Sequence, residues 1–224
     1  MAPASLGGDR LGEAQPVSAH FKGKAVALCW AAAIFACLGF GFWQLGQGVY
    51  IKAKAEVAQL LLDRAWQRTI ADGKPHKAWP WADTWPVAKL EIPSQGMSQI
   101  VLAGTSGEAL AFGPGHLFGS PEPGQPGTSV IAGHRDTHFT FLRSVKSDDT
   151  VIVTTRDGVS HRFTVRHARV VEQDNSHIDP HAGFGIALVT CFPFDARENG
   201  TLRYVWLRMH LQMRAEIRKE MIRS

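Results

Sequence analysis

Three residues with reactive or permanently charged side chains accompany three apolar, β-rich runs of the chain. Cys191 ends the run 186–191, His134 follows the run 130–133, and Arg203 lies within a third run. The thiolate is the nucleophilic form of a cysteine, so a thiol with the ordinary pKa of about 8.5 needs a base or a cation beside it. A histidine can take that proton and return it to a leaving amine, and an arginine can stabilise an oxyanion. Together the three residue types indicate acyl transfer through a thioester.

Cys191 has no partner for a disulfide in its own part of the chain, because Cys29 and Cys37 lie in a long apolar segment. A single thiol in an exported domain is a candidate nucleophile, although most free cysteines are small buried apolar residues. His134 and Arg203 could likewise be ordinary surface residues of a β domain. The order of the residues, histidine before cysteine, differs from papain-like proteases. The Ser-His-Gly-Cys run of L,D-transpeptidases does not occur in the sequence.

The apolar segment 25–51 carries no charged side chain and exceeds the roughly 20 residues that a helix needs to cross a bilayer. It predicts a transmembrane helix. A cleaved signal peptide is the alternative, since 53–55 fits the A-x-A pattern, but its apolar part is usually only about 7 to 15 residues long. Basic residues precede and follow the segment closely, so charge alone does not fix its orientation.

The rest of the chain predicts one helix followed by a β domain. Residues 55–70 have helical apolar spacing and end at Asp72-Gly73. A Trp-rich connector follows, which could pack on the domain or lie in the bilayer interface, and packing is favoured. Short β-rich runs then alternate with Gly/Pro turns, which is typical of an all-β barrel or sandwich of mainly antiparallel strands. The runs are 88–92, 99–102, 129–132, 150–154, 161–171, 186–190 and 202–209.

Over residues 52–208 the chain resembles the sortases, which are membrane-anchored cysteine transpeptidases. Four ordered motifs carry the resemblance: Phe112-Gly113-Pro114-Gly115-His116, the run 132–138 around His134, Leu188-Val189-Thr190-Cys191, and the strand of Arg203. The run 192–196 and the helix 52–66 are most similar to the sortases of Gram-negative bacteria. One departure is Ala187, which stands where the common Thr-Leu-x-Thr-Cys pattern has its first threonine.

The resemblance implies an all-β fold, an eight-stranded sortase β-barrel with short helices, preceded by an N-terminal transmembrane helix. It implies that Cys191 attacks a backbone carbonyl in a C-terminal sorting signal similar to Leu-Pro-x-Thr-Gly. It implies that His134 is the acid and base and that Arg203 stabilises the oxyanion or positions the substrate. The implied substrate groove is lined by Thr190, Ala132 and the segment 174–185.

The resemblance also implies the partners and the location of the chain. The expected partners are a substrate protein with a C-terminal sorting signal, an amine acceptor and the inner (cytoplasmic) membrane. Nucleic acid is not expected, because the net charge of +4 is spread along the chain. A single-pass topology would place the catalytic domain in the periplasm.

The predicted divisions of the chain are a cytoplasmic tail at 1–24, the transmembrane helix 25–51, a helix and connector at 52–87, the catalytic domain 88–208 and a basic tail at 209–224.

Other features leave alternatives open. The basic and apolar residues near the C-terminus could form a helix on anionic lipid, but a solvated, frayed helix is favoured. Asp136 could orient the imidazole of His134 or cap its turn. Two functions are alternatives to a transpeptidase. One is a cysteine endopeptidase that hydrolyses the same thioester, and the other is a non-catalytic, anchored β domain.

No cofactor and no metal are expected. Two histidine pairs have the four-residue spacing that would suit a metal on a helix, but neither lies in a convincing helix: His134 with His138, and His177 with His181. Carboxylates near the predicted groove could bind calcium, as in some sortases, but scattered surface residues are favoured: Glu172, Asp174 and Asp179.

Overall fold

The computed structural model describes residues 18–175, 178–181, 183–196, 200–207 and 210–211. The chain divides into two compact units, one ending at Ala53 and the other beginning at Lys54. Most of the predicted N-terminal tail lies outside the described residues. The predicted basic tail also lies outside them, except for a two-residue strand at 210–211.

The first unit contains the N-terminal part of helix α1, Ser18–Asp72. Between residues 26 and 51 its large apolar side chains are exposed, among them Trp30, Phe35, Phe42 and Trp43. By length and composition α1 is able to cross a membrane. The apolar segment therefore forms the predicted helix, and both Cys29 and Cys37 lie on it with exposed side chains.

The C-terminal part of α1 belongs to the second unit. Its buried residues recur every three or four positions, which is the pattern of a helix with one face in a core: Ala58, Leu62, Ala65, Trp66 and Thr69. At its end, Gly73 takes the left-handed conformation and its N–H donates to the carbonyl of Thr69 at 2.8 Å. The predicted helix and its end at Asp72-Gly73 are confirmed.

The second unit is built on one curled sheet. The strands are β1 Pro86–Ile92, β2 Met97–Ala103, β3 Gly115–His116, β4 Gly127–Ala132, β5 Thr150–Thr155, β6 Ser160–Thr164, β7 His167–Glu172, β8 Phe184–Cys191, β9 Leu202–Leu207 and β10 His210–Leu211. Their order is β10-β6-β5-β1-β2-β3-β4-β8-β9-β7. A short helix α2, Gly107–Phe112, and the 3₁₀ turns Pro93–Gln95, Thr140–Arg143 and Gln173–Asn175 connect them. Eight strands are longer than two residues, so the predicted all-β fold with short helices is confirmed.

Two details of the sheet differ from the expectation of a closed, antiparallel barrel. The pairs β2–β3 and β4–β8 are parallel, and among the described residues the end strands β7 and β10 do not pair with each other. The predicted single run 161–171 is two strands, because Val165 leaves the ladder and exchanges backbone hydrogen bonds with Asp148 and Asp149 instead. The sheet is therefore a half-barrel that is curled around its core.

The core of the second unit is one cluster of buried apolar side chains. Its fully buried members include Leu90, Ile92, Ile131, Phe139, Phe163 and Leu188. Each such side chain contributes about 1.5 to 3 kcal/mol by leaving water.

In the Trp-rich connector, Trp79 packs edge-on against Phe112 with ring centroids 4.8 Å apart, as favoured from the sequence, whereas Trp81 is exposed.

Candidate active site

The parallel pair of β4 and β8 brings the histidine and the cysteine to the same edge of the sheet. Ala132 lies opposite Val189, and both strands run toward that edge. Beyond the ladder, the Gly133 N–H donates to the Val189 carbonyl at 3.1 Å, so the pairing continues past the end of β4. From the pair of Ala132 with Val189, two further residues along each strand reach His134 and Cys191. Side chains at the carboxyl ends of neighbouring strands commonly share one crevice.

Gly133 sets the close approach of this turn to the core. A Cβ at Gly133 would lie only 2.8 Å from the ring of Phe139, which is fully buried. The turn is closed by the Phe139 N–H, which donates to the His134 carbonyl at 3.0 Å. The side chain of His134 is exposed. A buried phenylalanine thus holds a turn that presents an imidazole to solvent.

The other neighbour of β8 brings in the arginine. Cys191 lies directly opposite Arg203 in the antiparallel pair β8–β9, and directly opposed residues project from the same face of a sheet. Nη1 of Arg203 donates to the carbonyls of Gly200 at 2.8 Å and Leu202 at 3.0 Å, and Nη2 donates to the side-chain oxygen of Gln173. A guanidinium has more N–H groups than these hydrogen bonds to described residues use.

The predicted substrate residues lie at the same edge with different exposures. Thr190 is 3% exposed and its hydroxyl donates to the carbonyl of Gly133 at 2.8 Å, so it ties β8 to the histidine turn. It points to the face opposite Cys191, because successive side chains of a strand alternate. Ala132 is half-buried and its backbone pairs with Gly115. Substrate contact by either residue stays a prediction.

The segment 174–185, predicted as a wall of the groove, is described only in part. Residues 176, 177 and 182 lie outside the described residues, so of the histidine pair considered from the sequence only His181 is described, and it is exposed. Within the described part of the chain, no group of three or more histidine, cysteine, aspartate or glutamate side chains is arranged to hold a metal.

Arg135 is the residue of this site to which sequence analysis gave no role. Its side chain is 5% exposed and donates from Nη1 to the Pro193 carbonyl at 2.8 Å and from Nη2 to the Ala196 carbonyl at 2.9 Å. Its Nε donates to Asp136 Oδ1 at 3.0 Å. The carboxylate of Asp136 thus pairs with its neighbour Arg135, rather than with the imidazole of His134 as one prediction had it.

The segment after Cys191 packs through aromatic rings. Phe192 stacks on Tyr204 with ring centroids 5.8 Å apart, and Phe194 meets the same ring edge-on at 5.1 Å. Burial raises the pKa of Tyr204. At the surface, Arg143 lies 5.6 Å from the ring of Phe194 and donates to Asp195 at 2.5 Å. The segment that follows the thiol is therefore held from two sides.

A second histidine lies close to the first. His138 is half-buried, and its pKa is lowered, chiefly by burial and further by the charge of His134, while a hydrogen bond to the backbone of Ala111 opposes the shift. Its carbonyl accepts from Gln99 Nε2 at 3.0 Å. This imidazole favours the neutral form.

A cysteine with a histidine just past the end of one flanking strand and an arginine on the other flanking strand has the residue types that cysteine acyl transfer uses. The sortase domain model matches residues 90–208, which is more than half of the chain. The chain belongs to the sortase family.

Known proteins similar to this chain are sortases of several kinds. It is 29% identical over 118 residues to Sortase D of Bacillus subtilis, a match that covers 52% of this chain and 59% of that protein. Sortase A from Corynebacterium diphtheriae is 28% identical with a TM-score of 0.52, over 58% of this chain and 62% of that one. The structure of a Clostridium perfringens Sortase D5 transpeptidase has a TM-score of 0.55 and is 18% identical in sequence. The match covers 70% of this chain and 98% of that one, and it shows a shared fold. The chain thus spans about three-fifths of the length of the first two.

Proposed function

We propose that this chain is a membrane-anchored cysteine transpeptidase that cleaves a C-terminal sorting signal similar to Leu-Pro-x-Thr-Gly and joins the protein to an amine. The observation that carries the proposal is the register around β8, which brings His134 to one side of Cys191 and Arg203 to the other. Membership in the sortase family, whose members are cysteine transpeptidases, supports it.

In the proposed reaction the thiol proton of Cys191 passes to His134, and the sulfur attacks the scissile carbonyl carbon so that a C–S bond forms. The oxyanion that develops is stabilised by the N–H groups of Arg203 that are not bonded to Gly200, Leu202 and Gln173. The C–N bond then breaks, and the leaving amine takes a proton from His134. The product of this half-reaction is a thioester.

The second half-reaction reverses these steps with a new amine. His134 takes a proton from the incoming amine, the nitrogen attacks the thioester carbon, and the C–S bond breaks. The departing sulfur then takes the proton from His134, which regenerates the Cys191 thiol. Both half-reactions use the same three side chains, because the second tetrahedral oxyanion develops where the first one did. The exposed position of His134 leaves room for an amine to reach it from solvent.

The proposal includes the place where the enzyme works. Helix α1 would cross the inner membrane once, with the sheet domain in the periplasm, since its residues 26–51 expose a continuous apolar surface. The resemblance of 192–196 to the sortases of Gram-negative bacteria supports that class, whereas the similar proteins found are Gram-positive sortases of classes A, C and D.

The test uses the full chain in detergent with a peptide that contains a Leu-Pro-x-Thr-Gly-like signal. Intact mass spectrometry should show an acyl adduct on the chain and none on Cys191→Ala. A Cys29→Ser/Cys37→Ser variant is the control and should acylate normally, because both thiols lie on the apolar part of α1. Signal processing by Cys191→Ala would refute the proposal.

Addition of an amine acceptor separates the alternatives. A ligated product supports the transpeptidase, and hydrolysis without ligation supports a cysteine endopeptidase. A chain that forms no adduct with any signal peptide, and whose Cys191 reacts with iodoacetamide no faster than a free thiol does, would instead be a non-catalytic β domain.

A further inference from the structure

The side chain of Gln173 contacts the guanidinium of Arg203, the proposed oxyanion donor, from the end of a third strand. Gln173 directly follows β7, and its N–H donates to the carbonyl of Thr201 at 2.9 Å, so the pairing of β7 with β9 extends one residue past the ladder. Within the ladder, Val171 lies opposite Arg203. Since side chains along a strand alternate, Gln173, two residues beyond Val171, returns to the face of Arg203. Its side-chain oxygen accepts a hydrogen bond from Nη2 of the arginine.

The two other hydrogen bonds of this guanidinium come from its own part of the chain. Nη1 donates to the carbonyls of Gly200 and Leu202, which lie three residues and one residue before Arg203. Both bonds act on one nitrogen, so they leave the planar group able to swing about that nitrogen. Gln173 engages the other terminal nitrogen and is 30 residues away in sequence. Contacts to both terminal nitrogens fix the plane of a rigid guanidinium, which contacts to one of them do not.

The plane of the guanidinium matters for the proposed reaction because all of its N–H groups lie in that plane. A guanidinium has five N–H groups, and the hydrogen bonds to described residues use no more than three of them. A donor stabilises a developing oxyanion best when it already points to the place where the charge develops, because no reorganisation is then needed during the reaction. The contact with Gln173 therefore bears on where the other N–H groups of Arg203 point.

This contact is suited to direct the arginine rather than to stabilise the fold. Gln173 is exposed and Arg203 is half-buried, so water competes for their hydrogen bond and its contribution to stability is small. The backbone at this point is held separately, by the hydrogen bond from Gln173 to Thr201 and by the ladder of β7 with β9. Loss of the side-chain oxygen should release the guanidinium and leave the strands paired.

We propose that Gln173 is the positioning residue of Arg203: its side-chain oxygen holds Nη2 and thereby sets the plane of the guanidinium that faces the site of Cys191. It acts on the reaction only through Arg203. The inference rests on the proposed function in taking Arg203 as the oxyanion donor.

The first test observes the guanidinium without substrate, by NMR of the full chain in detergent with ¹⁵N-labelled arginine. The side-chain signals of Arg203 are identified by their loss in Arg203→Lys. A guanidinium held at both terminal nitrogens should give separate Nη signals, whereas one that rotates freely gives an averaged signal. Gln173→Met, which is similar in shape but lacks the oxygen, should average the Nη2 signals of Arg203. Gln173→Glu, which keeps an acceptor oxygen, should leave them separate.

The second test measures turnover of a Leu-Pro-x-Thr-Gly-like peptide. Gln173→Met should lower kcat about tenfold, because the oxyanion donor is no longer held in place, while KM and the midpoint of urea unfolding stay unchanged. In a chain that already carries Arg203→Met, the same change should alter kcat by less than about twofold, since no guanidinium is left to direct. A merely structural role of Gln173 would lower kcat by the same factor in both chains.

Gln95 provides the matched control. It lies in another 3₁₀ turn, and its exposed side chain also forms a hydrogen bond to a distant part of the chain, the carbonyl of Ser144 at 3.3 Å. Gln95→Met should leave both the Arg203 signals and kcat unchanged.

Three outcomes would overturn the proposal: parent-like Arg203 signals in Gln173→Met, a parent-like kcat in that variant, or an equal loss of kcat when Arg203 is already replaced. The NMR measurement needs no sorting signal, so the two proposals fail separately. If Gln173→Met averages the Arg203 signals but no chain turns over any signal peptide, the positioning of Arg203 stands and only the proposed function is contradicted.

Discussion

On the β4 side of β8 the site is tied by buried hydrogen bonds, whereas on the β9 side it is tied by bonds at the surface. The hydroxyl of Thr190 donates to the Gly133 carbonyl inside the domain. On the other side, Arg203 donates to the carbonyl of Gly200 and the side chain of Gln173, both of which are exposed. The hydrogen bond of Thr190 is protected from water. The hydrogen bonds of Arg203 are at the surface, where water competes for the same donors and acceptors.

The β4 side and the β9 side of β8 are suited to different tasks because their hydrogen bonds differ in burial. Loss of a buried hydrogen bond leaves an unsatisfied group that costs about 1 to 3 kcal/mol of stability. Surface contacts contribute little to stability, so their donors can be turned to a substrate at small cost. We therefore expect the β4 side to control the stability of the site and the β9 side to control the rate of its reaction.

The largest effect that sharpens this comparison is expected for Arg203→Met. Loss of an oxyanion donor should lower kcat by about 10²- to 10³-fold, while the free energy of unfolding changes by less than about 0.5 kcal/mol. Arg203→Lys should recover only part of the rate, because it keeps the charge without the planar fork. Turnover of a signal peptide and urea unfolding are the measurements.

A matched control for Arg203 lies on the next strand. Arg169 in β7 is exposed and faces solvent, so Arg169→Gln should leave both the rate and the stability unchanged. A loss of stability in Arg203→Met as large as that of a buried-site variant would break the proposed division between the two sides.

The next effect is expected for Thr190→Val, on the β4 side. The change preserves shape but leaves the Gly133 carbonyl without the hydroxyl at 2.8 Å. The free energy of unfolding should fall by about 1 to 3 kcal/mol. Thr190→Ser, which keeps the hydroxyl, should retain most of the free energy of unfolding. If urea unfolding shows no difference between the two variants, the buried tie does not stabilise this side.

The smallest effect concerns pH and His138. Its folded pKa lies below the ordinary value, so near pH 6 the unfolded chain binds a proton that the folded chain does not. Stability should therefore fall as the pH drops through about 6.5 and level off below the folded pKa. In His138→Gln this part of the pH dependence should be absent. Urea midpoints at about pH 7.5 and about pH 5.5 measure it, and equal slopes in both chains would contradict the assignment.

Much of the fold could be predicted from the sequence because each strand is a short apolar run between turn residues. The runs that end at Cys191 and just before His134 are apolar and bounded by turn residues, and both form strands that end there. The parallel pairing of these strands is not encoded locally and was not predicted from the sequence. The break between β6 and β7 was missed because Val165 is bonded to residues of another turn, which is a tertiary effect.

Two features of the site show where such prediction ends. Strand alternation alone places the side chain of Thr190 on the face opposite Cys191, so this direction was within reach of the sequence, while its contact with substrate stays a prediction. Arg135 was not, because a side chain in a turn has no periodicity to fix its direction. Its partners, the carbonyls of Pro193 and Ala196, lie 58 and 61 residues away. Only the assembled fold shows that this charge is buried.

The parallel pairing of β4 and β8 also has a consequence for synthesis. Three strands, β5, β6 and β7, lie between the two in sequence, and Gly133 and Thr190 are 57 residues apart. Contacts of such long range form late, because the loop between them must first be closed. While the chain is still emerging from the ribosome, the histidine turn has no cysteine beside it. The thiol therefore meets its neighbours only after nearly the whole domain has been made, so we expect an unfinished chain to lack the complete candidate site.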